Sequence, residues 1–565
     1  MGDETIATKL QALSLKHFGI TPRACQNQAA DLLQRRVIIE METGEGKTLT
    51  VAMAAIAMAI KGKRVFVATA NDYLAMRDAV AMRPMFEGCG LRVDALSSGI
   101  DQTLRRQIYA CDVVYGTIRE LGFDTLRDEL ADRVREKSSA PLMPKFHSLI
   151  IDEADSVLID EALTPLVIHG HGHEISPEKA SLYEWSAVQA NRFRPDNDYV
   201  VHPLSHAIAL TEEGITKAIH ASMPISMNGF RMADILNSLE NAIDVATRCL
   251  RDVHYLVKDS QVMLVDEHSG RIADAKKLSG GLHQAIEAKE RLPLTRSGKT
   301  IARMTIQELV NRTPHLSGVT ATAYEERREL GQVYGLAVNR LSPHVPTRRS
   351  LLSTKVFAHH HEKLLGILSE TRELVDANRA VLIGTKTIEQ SEILSDMMHE
   401  QRLSHVVLNA RQSSEEASII ALAGQSKRVT VATNMAGRGT DIRIAQDVRV
   451  AGGLHVIVSE PHLTSRIDRQ LAGRCGRQGD PGTVRYYYSP DDKILAGSFG
   501  DNQTNPLRRV LSDASLVREV KRAQDAIARR QREQRFQLAM IESQVVDDLG
   551  ELGLNPHLDR LTIDD

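Results

Sequence analysis

Cysteine and aromatic residues are scarce in this chain of 565 residues. One tryptophan and an aromatic fraction of 4% are low, whereas a hydrophobic fraction of 42% and a charged fraction of 25% are ordinary for a folded globular protein. The five cysteines are scattered, without a CxxC pair or a histidine at metal-ligand spacing. This pattern argues against a zinc site and against a disulfide framework, and it fits reduced thiols in a reducing compartment. The cysteines are Cys25, Cys89, Cys111, Cys249 and Cys475.

Long apolar runs and an excess of positive charge are also missing. The longest apolar run, from Leu49 to Ile60, is far shorter than the roughly 20 residues that a membrane-spanning helix needs. The first residues, MGDETIATKLQALSLKHFG, carry acids where a signal peptide needs positive charge, and they lack a long apolar core. A formal net charge of −3 supplies no global positive field for phosphate backbones. We therefore expect a cytoplasmic chain with at most peripheral membrane contact, for which nucleic acid is an unfavoured partner.

The stretch METGEGKT (41–48) lies between a strand-like run, RRVIIEM, and a helical run, LTVAMAAIAMAI. Strand, glycine loop and helix in this order are the context of a phosphate-binding loop, although the strict pattern has Gly where this chain has Met41. The glycines let backbone N–H groups close around phosphate oxygens. Lys47 can reach the β and γ phosphates, and the Thr48 hydroxyl can bind Mg²⁺. The predicted nucleotide-binding residues of this loop are Thr43, Gly44, Glu45, Gly46, Lys47 and Thr48.

Gln26 lies 21 residues before Lys47, in the stretch HFGITPRACQNQ. A Gly, a Pro and then a Gln at this distance resemble the adenine-reading Q motif of superfamily 2 motors. The Gln26 amide can both donate to and accept from the edge of adenine. The alternative is an ordinary surface glutamine, but the spacing favours a nucleotide contact.

An apolar strand ends in acids at SLIIDEADS (148–156), which contains the DEAD tetrad of RNA helicases. Asp152 at the strand end is suited to hold Mg²⁺, in most such motors through water, and Glu153 is suited to orient and deprotonate an attacking water. Paired acids are also common at solvated strand ends. The phosphate loop about a hundred residues earlier favours the catalytic interpretation, in a nucleotide-binding α/β sheet.

A second set of motifs lies in the later half, where RAVLIGTKTIEQSEIL, HVVLNAR and RVTVATNMAGRGTDI alternate strand and helix patterns. A second parallel sheet is predicted there. VATNMAGRGTD carries Gly439 and Asp441, two further candidates for nucleotide binding. RIDRQLAGRCGRQGD carries Arg474 and Arg477, whose rigid, permanently charged forks can stabilise the γ-phosphate during transfer. Two arginines on a polar helix are the alternative, which the neighbouring glycines disfavour because they weaken a merely structural helix.

A long insertion separates the acidic motif from the stretch GVTAT (318–322), since Asp155 and Thr320 lie 165 positions apart. The inserted residues contain a strand-like DYVVHP, a TEEG turn with a helix, the helical NGFRMADILNSLENAIDVATRCLR, and a hairpin that turns at KDSQ. These patterns predict a mixed α+β module of about a hundred residues. GVTAT itself resembles the motif that links hydrolysis to lobe movement, with a plain Thr/Ala turn as the alternative.

Several of these stretches resemble, in order, the SecA family of preprotein translocase ATPases. The resemblance runs from about Gly19 to Asp492 and is carried by METGEGKTLT, TANDYLAMRDA, YGTIRELGFDTLRD, IDEADSVLIDEALTPLVI, VDEHSGR, GLHQAIEAKE, VLNARQ, ATNMAGRGTDI, GGLHVI and RIDRQLAGRCGRQGD. It implies two RecA-like parallel-sheet motor lobes that use ATP and Mg²⁺. It also implies an inserted preprotein cross-linking domain, the SecYEG channel and unfolded preprotein as partners, and a peripheral position on the cytoplasmic face of the bacterial inner membrane. The resemblance leaves open whether the chain forms a homodimer.

The expected fold is α/β, with the inserted α+β domain and a short helical segment at the C-terminus. The expected units are lobe 1 at 1–167 and 276–346, the inserted domain at 168–275, lobe 2 at 347–495 and a helical segment at 506–565. The chain departs from the family at Leu163, where IDEARTPL has Arg, and at GVTATA, where the family usually has GMTGTA. Only about seventy residues follow Asp492, which predicts a shortened form without the family's wing and two-helix finger.

Two other functions remain open at this point. One is a SecA-derived accessory ATPase or chaperone that does not act at SecYEG. The other is a DEAD-type nucleic-acid helicase, which the literal tetrad suggests and the net charge does not favour.

Overall fold

Two parallel β-sheets form the two lobes of the chain, and a smaller unit is inserted into the first lobe. The architecture comes from a computed structural model that describes residues 3–134, 141–144, 146–162, 164–169, 175–201, 208–265, 278, 281–296, 300–408, 416–433, 441–495, 512–551 and 554–558.

The helices and strands alternate along most of the chain. The first are α1 (Asp3–Phe18), α2 (Ala24–Leu32), β1 (Val37–Glu40), α3 (Lys47–Ile60), β2 (Val65–Thr69), α4 (Asp72–Gly88), β3 (Val93–Ala95), α5 (Gln102–Tyr109), β4 (Val113–Thr117), α6 (Ile118–Val134) and β5 (Ser148–Asp152). After a π-helical turn at Ser156–Asp160 come β6 (Pro165–His169), α7 (Pro177–Ala190), β7 (Tyr199–Val201), β8 (Ile208–Leu210), α8 (Glu212–His220), α9 (Met232–Arg248), β9 (Tyr255–Lys258), β10 (Gln261–Leu264), α10 (Leu282–Lys289), β11 (Thr300–Thr305), α11 (Ile306–Asn311), β12 (His315–Thr320), α12 (Arg327–Tyr334) and β13 (Ala337–Arg340). The later elements are β14 (Arg348–Leu351), β15 (Lys355–Val356), α13 (His360–Asp376), β16 (Val381–Thr385), α14 (Ile388–Glu400), β17 (Val406–Leu408), α15 (Glu416–Leu422), β18 (Val429–Thr433), α16 (Gln446–Val450), β19 (Leu454–Val458), α17 (Ser465–Ala472), β20 (Pro481–Tyr488) and α18 (Asp513–Glu551).

Lobe 1 is built on a seven-stranded sheet in the order β13–β1–β12–β5–β2–β4–β3, in which every pairing is parallel. Strands β1 and β2 are buried along their whole length, as expected for a parallel sheet covered on both faces. Helix α3 is buried from Leu49 to Ala59, because its alanines and methionines pack between the sheet and its neighbours. The predicted strand, glycine loop and helix of the phosphate-binding loop are therefore present.

Lobe 2 has the sheet order β14–β20–β19–β16–β18–β17, with β15 pairing separately to β20. These pairings are also parallel, and apolar clusters lie on both faces of the sheet. The second parallel sheet that the sequence predicts is confirmed. The expected α/β fold with two parallel-sheet motor lobes is thus present.

The inserted unit leaves lobe 1 through β6 and returns through β11, and these two strands pair antiparallel. Between them, α7 and α9 pack on each other, and β7 and β8 form a two-stranded sheet. The hairpin β9–β10 turns at KDSQ, as the sequence predicts. Its two central residues, Asp259 and Ser260, have φ of 50° and 59°, which matches the positive φ values of the tight turns that favour hairpins.

The boundary of the inserted domain at residue 275 stays a prediction, and α10 is the element that bears on it. The sequence assigns 276–346 to the returning lobe, but α10 packs inside the inserted unit. Its Ala285 and Ile286 share an apolar cluster with Val245 of α9 and with Tyr255 and Val262 of the hairpin. The helical periodicity of the sequence does not show whether the apolar face of α10 packs on the inserted unit or on lobe 1.

Helix α18 lies across both lobes. Gln524 Nε2 donates to Asp468 Oδ2 of lobe 2 at 2.7 Å, and Arg535 Nη2 donates to Glu329 Oε2 of lobe 1 at 2.9 Å. The helical pattern that the sequence shows in this region is confirmed. Among the helices that the structure describes, none has both the length and the apolar character needed to cross a bilayer.

Candidate functional site

The phosphate-binding loop (41–46) begins where the buried strand β1 ends, and α3 starts at Lys47. Gly44 and Gly46 have φ of +87° and +83°, a left-handed region that side chains with a Cβ rarely adopt. A Cβ on Gly46 would lie 2.2 Å from Gln26 Nε2, and a Cβ on Gly44 would lie 3.1 Å from Arg477 Cβ. Both glycines are therefore required by conformation and by close neighbours, and the loop keeps its backbone accessible to a ligand.

Lys47 and the two acids at the end of β5 form the electrostatic centre of the site. Lys47 Nζ lies 3.1 Å from Glu153 Oε1, and Asp152 Oδ1 accepts the Glu153 N–H at 3.0 Å. Burial, followed by the charge of Glu153, raises the pKa of Asp152 to about 7, although Lys47 opposes the shift. Glu153 has φ of 57°, which is unusual for a residue other than glycine. Residues with such backbone angles cluster at active sites.

Gln26 contacts the phosphate loop directly. Its Oε1 accepts the Arg23 N–H at 2.8 Å, and its Nε2 donates to the carbonyls of Glu45 at 3.1 Å and Gly46 at 3.3 Å. The structure thus places Gln26 at the loop, as its spacing suggests. Adenine reading by this amide stays a prediction.

The arginine loop that follows α17 (473–479) lies against the phosphate loop of the other lobe. Arg477 Nη1 donates to Asp441 Oδ1 at 2.6 Å, and its Nε donates to Gly473 O at 2.9 Å. Thr43 Oγ1 of the phosphate loop donates to the same Gly473 carbonyl at 2.7 Å. Arg474 is half-buried on the same turn. Gly439 lies outside the described residues, so its predicted role stays a prediction.

Asp155, the last residue of the tetrad, is a buried junction that the sequence analysis missed. It accepts from the hydroxyls of Thr320 at 2.5 Å and Thr322 at 2.6 Å, and from Gln470 of lobe 2. Arg466 Nη1, also of lobe 2, lies 2.9 Å from Asp155 Oδ2. Residues of GVTAT and of RIDRQ both contact this one carboxylate, and no local pattern in the sequence marks Asp155 as their shared partner.

A π-helical turn explains how one arginine reaches two acids. The Glu161 N–H bonds to Ser156 O, which is the i to i+5 pattern of this turn and brings Asp160 round toward Asp155. Arg466 binds both carboxylates. Burial disfavours the charge, but Asp160 and Asp155 together raise the pKa of Arg466, so the guanidinium stays protonated.

The root of the inserted unit carries a further ion pair. Arg119 Nε of α6 lies 2.9 Å from Glu161 Oε2, in the stretch that leads into β6. Leu163, which stands where the family has Arg, lies outside the described residues. A charged contact at this root is therefore supplied from α6.

The residues present fit a magnesium nucleotide. The glycine loop forms a cradle at the N-terminus of α3, where backbone N–H groups and the helix dipole favour phosphate. Thr48 in the first turn of α3 and Asp152 at the end of β5 offer the oxygen atoms that Mg²⁺ prefers. Within the described ranges, no group of three or more metal-binding side chains was found. Two protein oxygens suffice for Mg²⁺, which keeps waters and phosphate oxygens as its other ligands.

Two family models match the chain. The SecA DEAD-like domain matches residues 4–331, and the SecA P-loop domain matches residues 346–451 and 443–513. Among solved structures, S. cerevisiae Dbp5 bound to RNA and ADP BeF3 aligns over 93% of this chain and 99% of that chain, with 13% identity and a TM-score of 0.44.

Curated relatives match over most of the chain. It is 40% identical to protein translocase subunit SecA of Syntrophus aciditrophicus (strain SB), over 82% of this chain and 54% of that protein. It is 37% identical to protein translocase subunit SecA of Helicobacter hepaticus (strain ATCC 51449 / 3B1), over 86% and 58%. It is 36% identical to protein translocase subunit SecA 2 of Rhodopirellula baltica (strain DSM 10527 / NCIMB 13988 / SH1), over 97% and 87%. The chain thus spans little more than half the length of the first two relatives.

Proposed function

Since this chain belongs to the SecA family, we propose that it is an ATPase of the protein translocase type. In this proposal, ATP hydrolysis drives movement of unfolded preproteins through the SecYEG channel across the bacterial inner membrane. One observation carries the proposal: the phosphate loop of lobe 1 and the arginine loop of lobe 2 are in direct contact, through Thr43 and Gly473. Groups from both lobes can therefore bind one nucleotide, and the lobes can respond to its hydrolysis.

Each predicted site residue has a role in this reaction. ATP supplies the phosphoryl group, and Mg²⁺ neutralises charge on its phosphate oxygens. Lys47 and the loop backbone hold the phosphates. Asp152 and Thr48 hold Mg²⁺. Glu153 orients the attacking water and accepts its proton, a step for which its contact with Lys47 must loosen when phosphate is bound.

Arg474 and Arg477 act from the other lobe as cations that stabilise charge on the γ-phosphate. This role for Arg477 is supported by its closeness to the phosphate loop, since its Cβ lies 3.1 Å from the position that a Cβ on Gly44 would take. Asp441 holds the Arg477 fork at 2.6 Å. Gln26 contacts the adenine end, and Gly439 in the motif ATNMAGRGTD is a further residue that binds the nucleotide.

Coupling to polypeptide is proposed to run through the Asp155 junction and the root of the inserted unit. Asp155 lies at the start of the π-helical turn, and Glu161 at its end contacts Arg119. A change in the distance between the lobes at Arg466 can therefore shift the residues where β6 leads into the inserted unit. We propose that this unit is the preprotein cross-linking domain, and that it ends after α10.

The proposed setting is cytoplasmic and peripheral on the cytoplasmic face of the inner membrane, with SecYEG and unfolded preprotein as partners. A homodimer is compatible with this setting. The net charge of −3 and the family membership together disfavour a nucleic-acid partner.

The test is ATPase activity of the purified chain with and without SecYEG vesicles and an unfolded preprotein. We expect both additions to stimulate turnover, and Lys47→Ala to abolish it. Lys61→Ala is the matched control, because Lys61 follows the other end of α3 and contacts Gln34 at 2.9 Å. ATPase activity without any association with SecYEG vesicles would select an accessory ATPase. Stimulation by RNA and indifference to polypeptide would select a helicase.

A further inference from the structure

The linker between the lobes (341–347) connects β13 of lobe 1 to β14 of lobe 2 and is held at both ends. On the lobe 1 side, Leu341 is buried and its N–H bonds to Glu40 O at 3.0 Å. Further along, the His344 N–H donates to Glu45 Oε2 of the phosphate loop at 3.1 Å. On the lobe 2 side, Thr347 Oγ1 donates to Gly476 O of the arginine loop at 3.2 Å. Only two linker residues, Val345 and Pro346, thus separate the contact with the phosphate loop from the contact with the arginine loop.

The side chain of Glu45 is held by contacts with other residues of the protein. Only 3% of the residue is exposed, and Oε2 receives Arg23 Nη1 at 3.3 Å in addition to the His344 N–H. The Cys25 thiol lies 3.7 Å from the same oxygen. A carboxylate would also repel phosphate. The side chain of this loop residue therefore faces a structural contact, while its backbone remains part of the glycine loop.

The arginine loop packs tightly on the linker and on the start of β14, which follows it. Gly476 and Gly479 have φ of +67° and +79°. A Cβ on Gly476 would lie 2.5 Å from Arg349 Cβ, and a Cβ on Gly479 would lie 2.8 Å from Val345 Cγ1. Arg477 lies between these two glycines, so a shift of the linker must displace the arginine loop.

We propose that Glu45 is a positioning residue that ties the phosphate loop to the interlobe linker, and that the linker in turn sets the position of Arg477. The inference rests on the proposed ATPase function for its kinetic consequence. Glu45, His344, Thr347, Gly476, Arg477 and Gly44 form a closed ring of contacts. A ring of this kind lets the loop and the arginine move only together.

The first test is independent of hydrolysis. Hydrogen exchange of the His344 amide should be slow in the wild type and at least about tenfold faster in Glu45→Ala, because the acceptor is lost. Glu45→Gln keeps an oxygen acceptor and should lie between them. Glu519→Gln, which changes a partly exposed acid paired with Arg522 on α18, is the matched control and should leave exchange unchanged. Equal exchange in the wild type and in Glu45→Ala would overturn the proposed tie.

The second test separates positioning from nucleotide binding. In Glu45→Ala and in Thr347→Val we expect kcat to fall by about tenfold while KM for ATP changes by less than about twofold, since a displaced arginine acts in the transition state. The double variant should lose little more than either single variant. A raised KM at unchanged kcat would assign Glu45 to ground-state nucleotide binding. If the wild type hydrolyses no ATP, the proposed function is wrong. The hydrogen-exchange result still shows whether Glu45 holds the linker to the phosphate loop.

Discussion

Arg466 of lobe 2 and Asp155 of lobe 1 form a buried ion pair, with Nη1 2.9 Å from Oδ2. Both side chains are almost completely inaccessible to solvent. The same guanidinium binds Asp160, and Thr320 and Thr322 donate to Asp155 from within lobe 1. The last acid of the tetrad is therefore committed to holding the lobes together, whereas Asp152 and Glu153 remain near the phosphate loop.

Replacing Arg466 by Met should weaken the contact between the lobes, because two buried carboxylates lose their cation. Loss of one partner of a buried pair costs about 3–5 kcal/mol. We expect a corresponding fall in resistance to urea, followed by circular dichroism, and a large loss of ATPase activity. Arg469→Met is the control, since Arg469 contacts Glu325 of lobe 1 at 2.7 Å in a partly exposed pair. Exposed pairs contribute about 0–1 kcal/mol, so equal effects in the two variants would contradict the assignment.

Glu153→Gln should separate nucleotide binding from hydrolysis. The amide keeps the size of the side chain but cannot accept a proton, so kcat should fall by about 10²–10⁴-fold. Binding of ATP should persist, because Lys47 and the glycine loop are unchanged. Turnover and equilibrium binding of a fluorescent nucleotide are the two measurements. Lys47→Ala should instead lose binding, and hydrolysis at the wild-type rate in Glu153→Gln would remove Glu153 from the reaction.

Gly46→Ala should weaken nucleotide binding for two physical reasons that can be separated. The left-handed backbone costs a residue with a Cβ about 1–2 kcal/mol, and the new Cβ would also meet Gln26 Nε2 at 2.2 Å. The double variant Gly46→Ala with Gln26→Ala has a shorter side chain at position 26, which should relieve the collision and leave the backbone strain. Because Gln26 is itself a proposed nucleotide contact, both single variants are measured, and the double variant should lose less affinity than the sum of the two single losses. Additive losses would contradict the close contact, and a double variant that binds as tightly as Gln26→Ala would contradict a strained loop.

Local patterns predicted the secondary structure and the phosphate-binding loop because these features are encoded in neighbouring residues. The hairpin at Asp259 and Ser260 and the strand, loop and helix around Lys47 are of this kind. The Asp155 junction is different, since its partner Arg466 lies 311 positions away. Nothing near Asp155 in the sequence marks which lobe it contacts. The side chain of Glu45 was likewise assigned by its place in a motif, whereas its contact with His344 depends on how the lobes are arranged.

His455 of β19 should make stability depend on pH. Burial lowers the pKa of this imidazole to about 4, although Glu370 opposes the shift. Between that value and the pKa of about 6.5 in the unfolded chain, the unfolded state binds more protons, so stability falls as pH falls. We expect a loss of about 2–3 kcal/mol between pH 7 and 4.5 that is absent in His455→Gln. Urea unfolding at both pH values measures it, with exposed His361→Gln as the control. An identical pH dependence in wild type and His455→Gln would exclude His455 as the cause.

Helix α18 should stabilise lobe 1 through Arg535. Its Nε and Nη2 donate to Glu329 at 2.5 and 2.9 Å, and both side chains are buried. Arg535→Ala would leave the Glu329 carboxylate without this fork, which should cost about 3–5 kcal/mol. The same helix contacts lobe 2 through Gln524, so the loss should appear in the unfolding of both lobes. Urea unfolding followed by circular dichroism measures the total effect.

A matched arginine on the same helix distinguishes a specific contact from a general loss of charge. Arg522 pairs with Glu519 at 2.5 Å, and 73% of its side chain is exposed. Arg522→Ala should therefore change stability by no more than about 1 kcal/mol, because solvent screens an exposed pair. Hydrogen exchange of α12, which carries Glu329, should quicken in Arg535→Ala and stay unchanged in Arg522→Ala. If α12 exchanged at the same rate in both variants, the helix would not hold lobe 1 through Arg535, and its contacts with lobe 2 would have to account for any loss of stability.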